Sequence, residues 1–198
     1  GKAQAIICNS GNANTCNANG IEIATLTCEL LAKSLNINAT DVVVASTGVI
    51  GQPLDITPIK NGIPELVSTL SVDGGENAAE AIMTTDTVMK EVAVEFEIAG
   101  KTCRMGCIAK GSGMIHPNMA TMLVFVTTDC AISAEMLQKA LSADILTSFN
   151  MVSVDGDTST NDMLSIMANG LAGNKEINEK NADYFEFKKA LAAVTKKL

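Results

Sequence analysis

The sequence predicts an α/β fold in which a layered, mixed or largely antiparallel sheet packs against helices. Three consecutive valines at 42–44 indicate a buried strand, whereas apolar residues at helical spacing over 21–35 indicate an amphipathic helix. Alternating polar and apolar residues over 91–98, followed by Ala99-Gly100, indicate a hairpin. Because strands and helices are interspersed along the chain, they are expected to stack as layers around a shared core.

The same patterns assign the remaining elements in chain order. Apolar or alternating runs predict strands over residues 4–8, 42–45, 91–98, 102–109, 120–126 and 151–155. Helical spacing, with Ser133 as an N-cap, predicts helices over residues 21–35, 63–70, 77–83, 133–149, 163–171 and 184–197. Segments rich in Asn, Gly, Pro or Asp are predicted to be loops, at residues 9–20, 53–62 and 156–162.

The composition favours a packed globular core over disorder and excludes several functions. Of the 198 residues, 47% are hydrophobic and 18% charged, and no apolar run is long enough to span a bilayer. The net charge is -8, Trp is absent, and no basic stripe is interleaved with aromatic residues. Neither a membrane role nor nucleic-acid binding is therefore expected.

The six cysteines are expected to be free thiols rather than metal ligands or disulfide partners. They include no CxxC pair, and His116 is the only histidine that could complete a zinc site. Several lie in apolar stretches of the sequence, where cysteine behaves as a small hydrophobic residue. With no signal peptide visible, a reducing cytoplasm is the expected compartment, and no metal or cofactor is predicted.

A threonine at the junction of a loop and a strand is the first candidate for chemistry. The glycine-rich loop that begins at Lys110 passes at Ala120-Thr121 into a run of apolar and β-branched residues. A strand fixes a hydroxyl, while the preceding loop can adopt an unusual backbone conformation. Threonine is nevertheless common in strands, and a single one more often packs than reacts.

The local string Lys110-Gly-Ser-Gly-Met-Ile-His-Pro-Asn-Met-Ala-Thr-Met-Leu123 resembles the self-cleavage segment of the ornithine acetyltransferase family, the glutamate N-acetyltransferases of arginine biosynthesis. The resemblance implies a cut between Ala120 and Thr121, with Thr121 as the acyl-accepting nucleophile in a self-cleaving fold. An N-terminal threonine carries its own base, because its α-amino group has a pKa of about 7.7 to 8.0. His116 is therefore not needed as the base.

The resemblance also assigns the other site residues. Ser46-Thr-Gly-Val-Ile-Gly51 is similar to the family motif whose threonine and glycine stabilise the oxyanion, which implies that role for Thr47 and Gly48. Taken alone, Thr-Gly after a strand is usually a turn. Thr84, in a Thr-Thr-Asp-Thr motif, and Lys110 match substrate-binding residues, as does Thr121 itself. Residues 156–162 match a further motif and are expected to line or support the site.

The function implied is transfer of an acetyl group from N-acetylornithine to glutamate through an acetyl-threonine intermediate. Whether acetyl-CoA is also a donor stays open. Residues 1–198 are expected to form an internal portion of a longer enzyme, in which 1–120 end the α-chain region and 121–198 begin the β-chain region. The two fragments of the precursor are expected to form a heterotetramer, and this portion alone is expected to be inactive or weakly active.

Two other functions remain open at this stage. A self-processing aminopeptidase or amidohydrolase would use the same threonine, with water in place of glutamate as acceptor. A noncatalytic structural or binding domain would show neither cleavage nor an acyl-enzyme.

Overall fold

The computed structural model describes residues 1–116 and 122–198. The described strands are β1 Ala5–Asn9, β2 Val42–Ser46, β3 Lys90–Ile98, β4 Lys101–Lys110, β5 Leu123–Thr128 and β6 Met163–Ala168. The described α-helices are α1 Gly20–Leu35, α2 Ile56–Ser68, α3 Gly75–Ala81, α4 Ala134–Asp144 and α5 Ala182–Lys197. Short 3-10 turns occupy Ala39–Asp41, Ile145–Thr147 and Phe149–Met151.

The strands form two sheets that face each other. Strands β1 and β2 pair in parallel, and the larger sheet has the order β3-β4-β5-β6 with two antiparallel pairings and one parallel pairing. Apolar residues fill the space between the sheets, with Ala45 from β2 packing in one cluster with Leu123 and Phe125 from β5. The sheets therefore form the two inner layers of the fold.

Helices cover the outer face of each sheet. Leu31 of α1 and Ile63 of α2 pack on Ile7 of β1, and α4 and α5 bury their apolar faces against the opposite side of the larger sheet. The order of layers is helix, sheet, sheet, helix. The prediction of a layered α/β fold with a mixed sheet is thus confirmed.

Strand β5 is the most buried strand of the described fold, which explains its unbroken apolar sequence. Leu123 and Phe125 face the smaller sheet, whereas Val124 and Val126 face the helices. A strand covered on both faces has no solvated side for alternate polar residues. All four of these side chains are less than a tenth exposed.

The predicted hairpin and helix cap are both present. Ala99 and Gly100 form the two-residue turn with φ of 49° and 75°, and Ile98 pairs with Lys101 at the start of the β3–β4 ladder. The Ser133 hydroxyl accepts a hydrogen bond from the N–H of Met136 over 3.3 Å at the start of α4. The helix ends at Asp144 rather than continuing to residue 149.

The prediction of a loop over residues 53–62 is wrong, because α2 already begins at Ile56. Asp55 caps the helix by accepting from the N–H of Thr57 over 2.9 Å. Pro58 lies in the first turn, where a missing N–H costs no intrahelical hydrogen bond. Ile59 and Ile63, spaced four residues apart, then pack toward α1 and stabilise the helix.

Two predictions near the end of the chain are also wrong. Residues 151–155 form no strand, and the predicted helix over 163–171 is instead strand β6, which pairs in parallel with β5. Its short apolar sequence is compatible with either element, and pairing with β5 decides between them. The helical portions of the described chain contain no segment long and apolar enough to cross a membrane.

Candidate active site

The described site residues lie at strand ends and in the loops beside them. Thr47 and Gly48 directly follow β2, Thr84 lies between α3 and β3, and Lys110 is the last residue of β4. The predicted cleavage residues Ala120 and Thr121 lie outside the described residues. In the β4–β5 register Lys110 pairs with Leu123, so the end of β4 adjoins the start of β5.

Lys110 and Thr84, predicted separately as substrate-binding residues, are in direct contact. The Lys110 ammonium donates a hydrogen bond to the Thr84 hydroxyl over 3.1 Å. Lys110 is only 3% exposed, which is unusual for a lysine. Burial lowers the pKa of its ammonium below the ordinary value, and the Asp86 carboxylate opposes that effect. The structure thus brings one hydroxyl and one buried cation together.

Asp86 holds this pair in place, although no role was predicted for it from the sequence. Its carboxylate accepts hydrogen bonds from the N–H of Gly111 over 2.7 Å and from the Lys90 ammonium over 2.6 Å. A longer bond of 3.3 Å comes from the N–H of Thr84. Burial would raise the pKa of Asp86, but these donors hold it below the ordinary value. The sequence feature that could have indicated this role is that Asp86 is the aspartate of the Thr-Thr-Asp-Thr motif.

The backbone at Thr47 and Gly48 is pressed against the asparagine-rich loop that follows β1. The N–H of Thr47 donates to the Asn9 carbonyl over 2.9 Å. Gly48 has a φ of +126°, and a Cβ added there would lie 2.5 Å from the Gly11 carbonyl carbon and oxygen. Only glycine fits this conformation and this contact without strain.

The Gly48 N–H and the Thr47 hydroxyl are not used by any hydrogen bond among residues 1–116 and 122–198. Two adjacent donors on a rigid strand end are what an oxyanion requires. Their role as oxyanion donors stays a prediction.

Asn161 ties the loop that precedes β6 to the end of β2. Its side-chain amide donates to the Ser46 carbonyl over 2.7 Å and to the Asn14 side-chain oxygen over 2.8 Å. Its own oxygen accepts from the Thr15 and Thr160 hydroxyls. Asn161 is buried, and this network fixes the residue that precedes Thr47. Its specific role was not predicted, although its segment was expected to support the site.

Asp162, the next residue, holds the start of β5. Its Oδ1 accepts from the N–H of Met122 over 2.8 Å, and the Met122 carbonyl accepts from the N–H of Met163 over 3.0 Å. Burial raises the pKa of the Asp162 carboxyl to about 6, against the opposing effect of the Met122 N–H and the nearby Ser159 hydroxyl. Consecutive residues 161 and 162 therefore connect the end of β2 to the residue after Thr121.

A cavity of about 360 Å³ lies beside the end of β4, and neither Thr84 nor Thr47 nor Gly48 is among its lining residues. Its lining includes Lys90, Lys110, Ser112 and Met122. His116 is exposed, with Nδ1 lying 3.3 Å from the Ser153 hydroxyl.

The six thiols are free, and the described residues contain no cluster suited to a metal ion. Cys103, Cys107 and Cys130 are buried in the core. Burial raises the pKa of the Cys107 thiol to about 12, which keeps it protonated and unreactive.

The helix, sheet, sheet, helix layering is that of the N-terminal nucleophile fold, and a solved relative has a related structure. The crystal structure of arginine biosynthesis bifunctional protein ArgJ from Bacillus halodurans matches with a TM-score of 0.52 and 42% identity, over 58% of this chain and 61% of that one. The chain belongs to the ArgJ family, whose model matches residues 1–198. The predicted resemblance is therefore confirmed.

Similar proteins carry the same name. Arginine biosynthesis bifunctional protein ArgJ of Symbiobacterium thermophilum is 53% identical over 195 residues, which is 98% of this chain and 48% of that protein. Its counterpart in Caldanaerobacter subterraneus is 51% identical over 199 residues, covering 100% of this chain and 49% of that protein. The chain thus spans about half the length of the curated relatives it matches.

Proposed function

We propose that the protein containing this chain is a glutamate N-acetyltransferase of arginine biosynthesis, which cleaves itself between Ala120 and Thr121. Thr121 then carries the acetyl group from N-acetylornithine to glutamate. The observation that supports this most directly is a pair of hydrogen bonds. Asn161 donates one to the Ser46 carbonyl, and Asp162 accepts the other from the Met122 N–H. The candidate oxyanion donors and the residue next to Thr121 are therefore anchored to two consecutive residues.

The acetyl transfer proceeds in two balanced half-reactions. The Thr121 hydroxyl attacks the acetyl carbonyl, its proton passes to the Thr121 α-amine, and the oxyanion accepts from the Gly48 N–H and the Thr47 hydroxyl. Collapse breaks the C–N bond, and the departing ornithine amine takes the proton from the α-amine. The glutamate amine then attacks the acetyl-threonine ester and passes a proton to the Thr121 α-amine. Collapse breaks the ester C–O bond, and the threonine oxygen takes that proton as N-acetylglutamate forms. No metal or organic cofactor takes part.

The substrate carboxylate is assigned to Lys110 and Thr84. Lys110 is a buried cation, and its contact with the Thr84 hydroxyl leaves further ammonium protons for an anionic ligand. The acetyl donor and the acetyl acceptor are both α-amino acids, so Lys110 and Thr84 can bind the carboxylate of each in turn.

The two fragments remain associated after the cut, because the proposed cleavage site lies between strands β4 and β5, which are hydrogen-bonded neighbours. In this proposal residues 1–120 end the α-chain, residues 121–198 begin the β-chain, and the fragments assemble as a heterotetramer in the cytoplasm. Acetyl-CoA as a second acetyl donor stays a prediction.

The test uses the full-length protein and intact-mass measurement. Wild type is expected to give two fragments, one beginning at Thr121, and to form N-acetylglutamate from N-acetylornithine and glutamate. Thr121→Ala is expected to remain whole and inactive. Thr127→Ala, an exposed threonine of β5, is the matched control and should be cleaved normally.

A single uncut chain in both wild type and Thr121→Ala would contradict the proposal. Cleavage accompanied by hydrolysis alone, without transfer to glutamate, would instead favour the aminopeptidase or amidohydrolase function. Adding acetyl-CoA in place of N-acetylornithine decides whether it is a donor.

A further inference from the structure

The end of β2 is held by the asparagine-rich loop that follows β1. The Thr47 N–H donates a hydrogen bond to the Asn9 carbonyl over 2.9 Å, and the Val49 N–H donates to the Gly11 carbonyl over 3.3 Å. Both neighbours of Gly48 therefore direct their backbone donors at this loop. The Gly48 N–H lies between them and donates to no acceptor in the part of the chain that the structure describes.

These two hydrogen bonds restrict the direction of the Gly48 N–H. Each peptide group is planar, so holding the planes on either side restricts the plane between them, which carries this donor. The loop also closes one side of the residue, because a Cβ on Gly48 would lie 2.5 Å from the Gly11 carbonyl carbon. The conformation of the loop thus determines where one of the two predicted oxyanion donors points.

The Asn9 side chain fixes the loop in this conformation. Its Oδ1 accepts a hydrogen bond from the Gly11 N–H over 3.0 Å, and its Nδ2 donates to the Asn12 carbonyl over 2.8 Å. The same Nδ2 donates to the Ser46 hydroxyl over 3.1 Å, and that hydroxyl donates to the Asn12 carbonyl over 2.6 Å. Asn9 therefore uses its amide oxygen and its amide protons to close the loop and to join it to β2.

We propose that Asn9 is a positioning residue for the oxyanion: its side-chain amide holds the loop that directs the Gly48 N–H. This inference rests on the proposed function. A developing oxyanion is stabilised most by donors that are aligned before the charge appears, because no donor must then be reoriented during the reaction. Asn9 thus contributes to the rate of acetyl transfer, through Gly48, rather than to substrate binding.

The test compares Asn9→Asp with wild type in the full-length protein. Aspartate keeps the size of the side chain and an oxygen for the Gly11 N–H, but it has no donor for the Asn12 carbonyl or the Ser46 hydroxyl. The kcat is divided by the fraction of chains with a free Thr121 terminus, measured by intact mass. We expect kcat per cleaved chain to fall about 10- to 100-fold, with KM for N-acetylornithine within about twofold of wild type.

A double-mutant cycle with Gly48→Ala separates action through the oxyanion donor from general damage to the fold. Once Gly48→Ala has displaced the donor, a residue that acts only by directing it has little left to contribute. Asn9→Asp should therefore lower kcat by less than about threefold in the Gly48→Ala background. Independent damage would instead multiply the two losses.

Asn17→Asp is the matched structural control. The Asn17 amide donates to the Ala13 carbonyl over 2.8 Å, so this bond joins two parts of the same loop without involving β2. The variant should lower the melting temperature, as Asn9→Asp does, yet keep kcat and KM near the wild-type values. All kinetic measurements are made below the melting temperature of every variant.

Wild-type kcat in Asn9→Asp, or multiplied losses in the double variant, would overturn the inference and leave Asn9 as a loop-closing residue. An Asn9→Asp chain that never cleaves would also overturn it, because the loop would then be needed for the cut. Wild-type kcat in Gly48→Ala would instead refute the oxyanion assignment, and the inference with it. Absence of both cleavage and acetyl transfer in wild type would refute the proposed function as a whole.

Discussion

Lys110 and Thr84 lie 26 residues apart in sequence, yet the Lys110 ammonium donates a hydrogen bond to the Thr84 hydroxyl over 3.1 Å. Lys110 ends a central strand, whereas Thr84 lies in a loop that Asp86 fastens to the residue after Lys110. The pair is thus rigid on both sides. A rigid cation can bind a carboxylate without first losing side-chain entropy.

Replacing Lys110 with methionine should weaken substrate binding while preserving most of the packing. Methionine retains a long apolar stem but loses the charge, so we expect kcat/KM for N-acetylornithine to fall by about 10- to 100-fold. The change should fall mainly on KM, measured by steady-state kinetics. Lys101→Met, at the exposed start of the same strand, is the control and should leave KM unchanged. An unchanged KM in Lys110→Met would refute carboxylate binding by Lys110.

Replacing Asp86 with asparagine should damage both stability and binding. The buried carboxylate accepts from Gly111 and Lys90, and the neutral amide cannot satisfy both donors equally. We expect the free energy of unfolding to fall by about 2 kcal/mol and KM to rise. Chemical denaturation and kinetics measure the two effects.

Asp73→Asn, in an exposed turn, should alter neither quantity. Normal stability in Asp86→Asn would show that the Gly111 and Lys90 contacts are energetically unimportant.

Replacing Gly48 with alanine tests the close contact with the asparagine-rich loop. The new methyl group would lie 2.5 Å from the Gly11 carbonyl, so the loop or the strand end must move. Displacing one oxyanion donor lowers kcat by about 10²- to 10³-fold in other acyl-transfer enzymes, and we expect a loss of that order.

Gly51→Ala is a matched control for backbone strain. Gly51 also has a positive φ, of 81°, but a Cβ there would meet no atom within 4 Å. Its kcat should stay near that of wild type, and an equal loss in both variants would assign the effect to strain alone.

The stability of the uncut protein should depend on pH through Asp162. Its carboxyl pKa is about 6 in the fold, above the ordinary 3.8, so between these values the folded state binds more protons than the unfolded state. Stability therefore falls as pH rises through this window. In a Thr121→Ala background, Asp162→Asn should raise the melting temperature more at pH 7 than at pH 4.

Melting curves of the two uncut proteins at several pH values test this expectation. An advantage of Asp162→Asn that grows toward low pH would contradict the raised pKa.

The elements that could be predicted from the sequence are those whose local pattern and tertiary environment agree. Strand β5 is apolar on both faces because both faces are covered, and the Ala99-Gly100 turn needs only local conformations. In contrast, α2 contains prolines that suggested a loop, and its helical state depends on packing of Ile63 against the first helix. Strand β6 was mistaken for a helix because its partner β5, not its own sequence, determines its conformation.

The candidate site was predictable where a motif is contiguous and not where its partners are distant. Thr84 and Lys110 each belong to a recognisable string, but their contact depends on Asp86 and on the fold. Asn161 and Asp162 act on Ser46 and Met122, which lie 115 and 40 residues away in sequence. No local pattern specifies such pairings.

The register of Lys110 with Leu123 has a consequence for biosynthesis. The proposed cut would leave β4 at the end of one fragment and β5 near the start of the other, each with an open edge and an uncovered apolar face. Separate synthesis of the two fragments would expose such edges to aggregation. Translation as a single precursor supplies the halves in equal number and lets the sheet close before its connecting bond is lost.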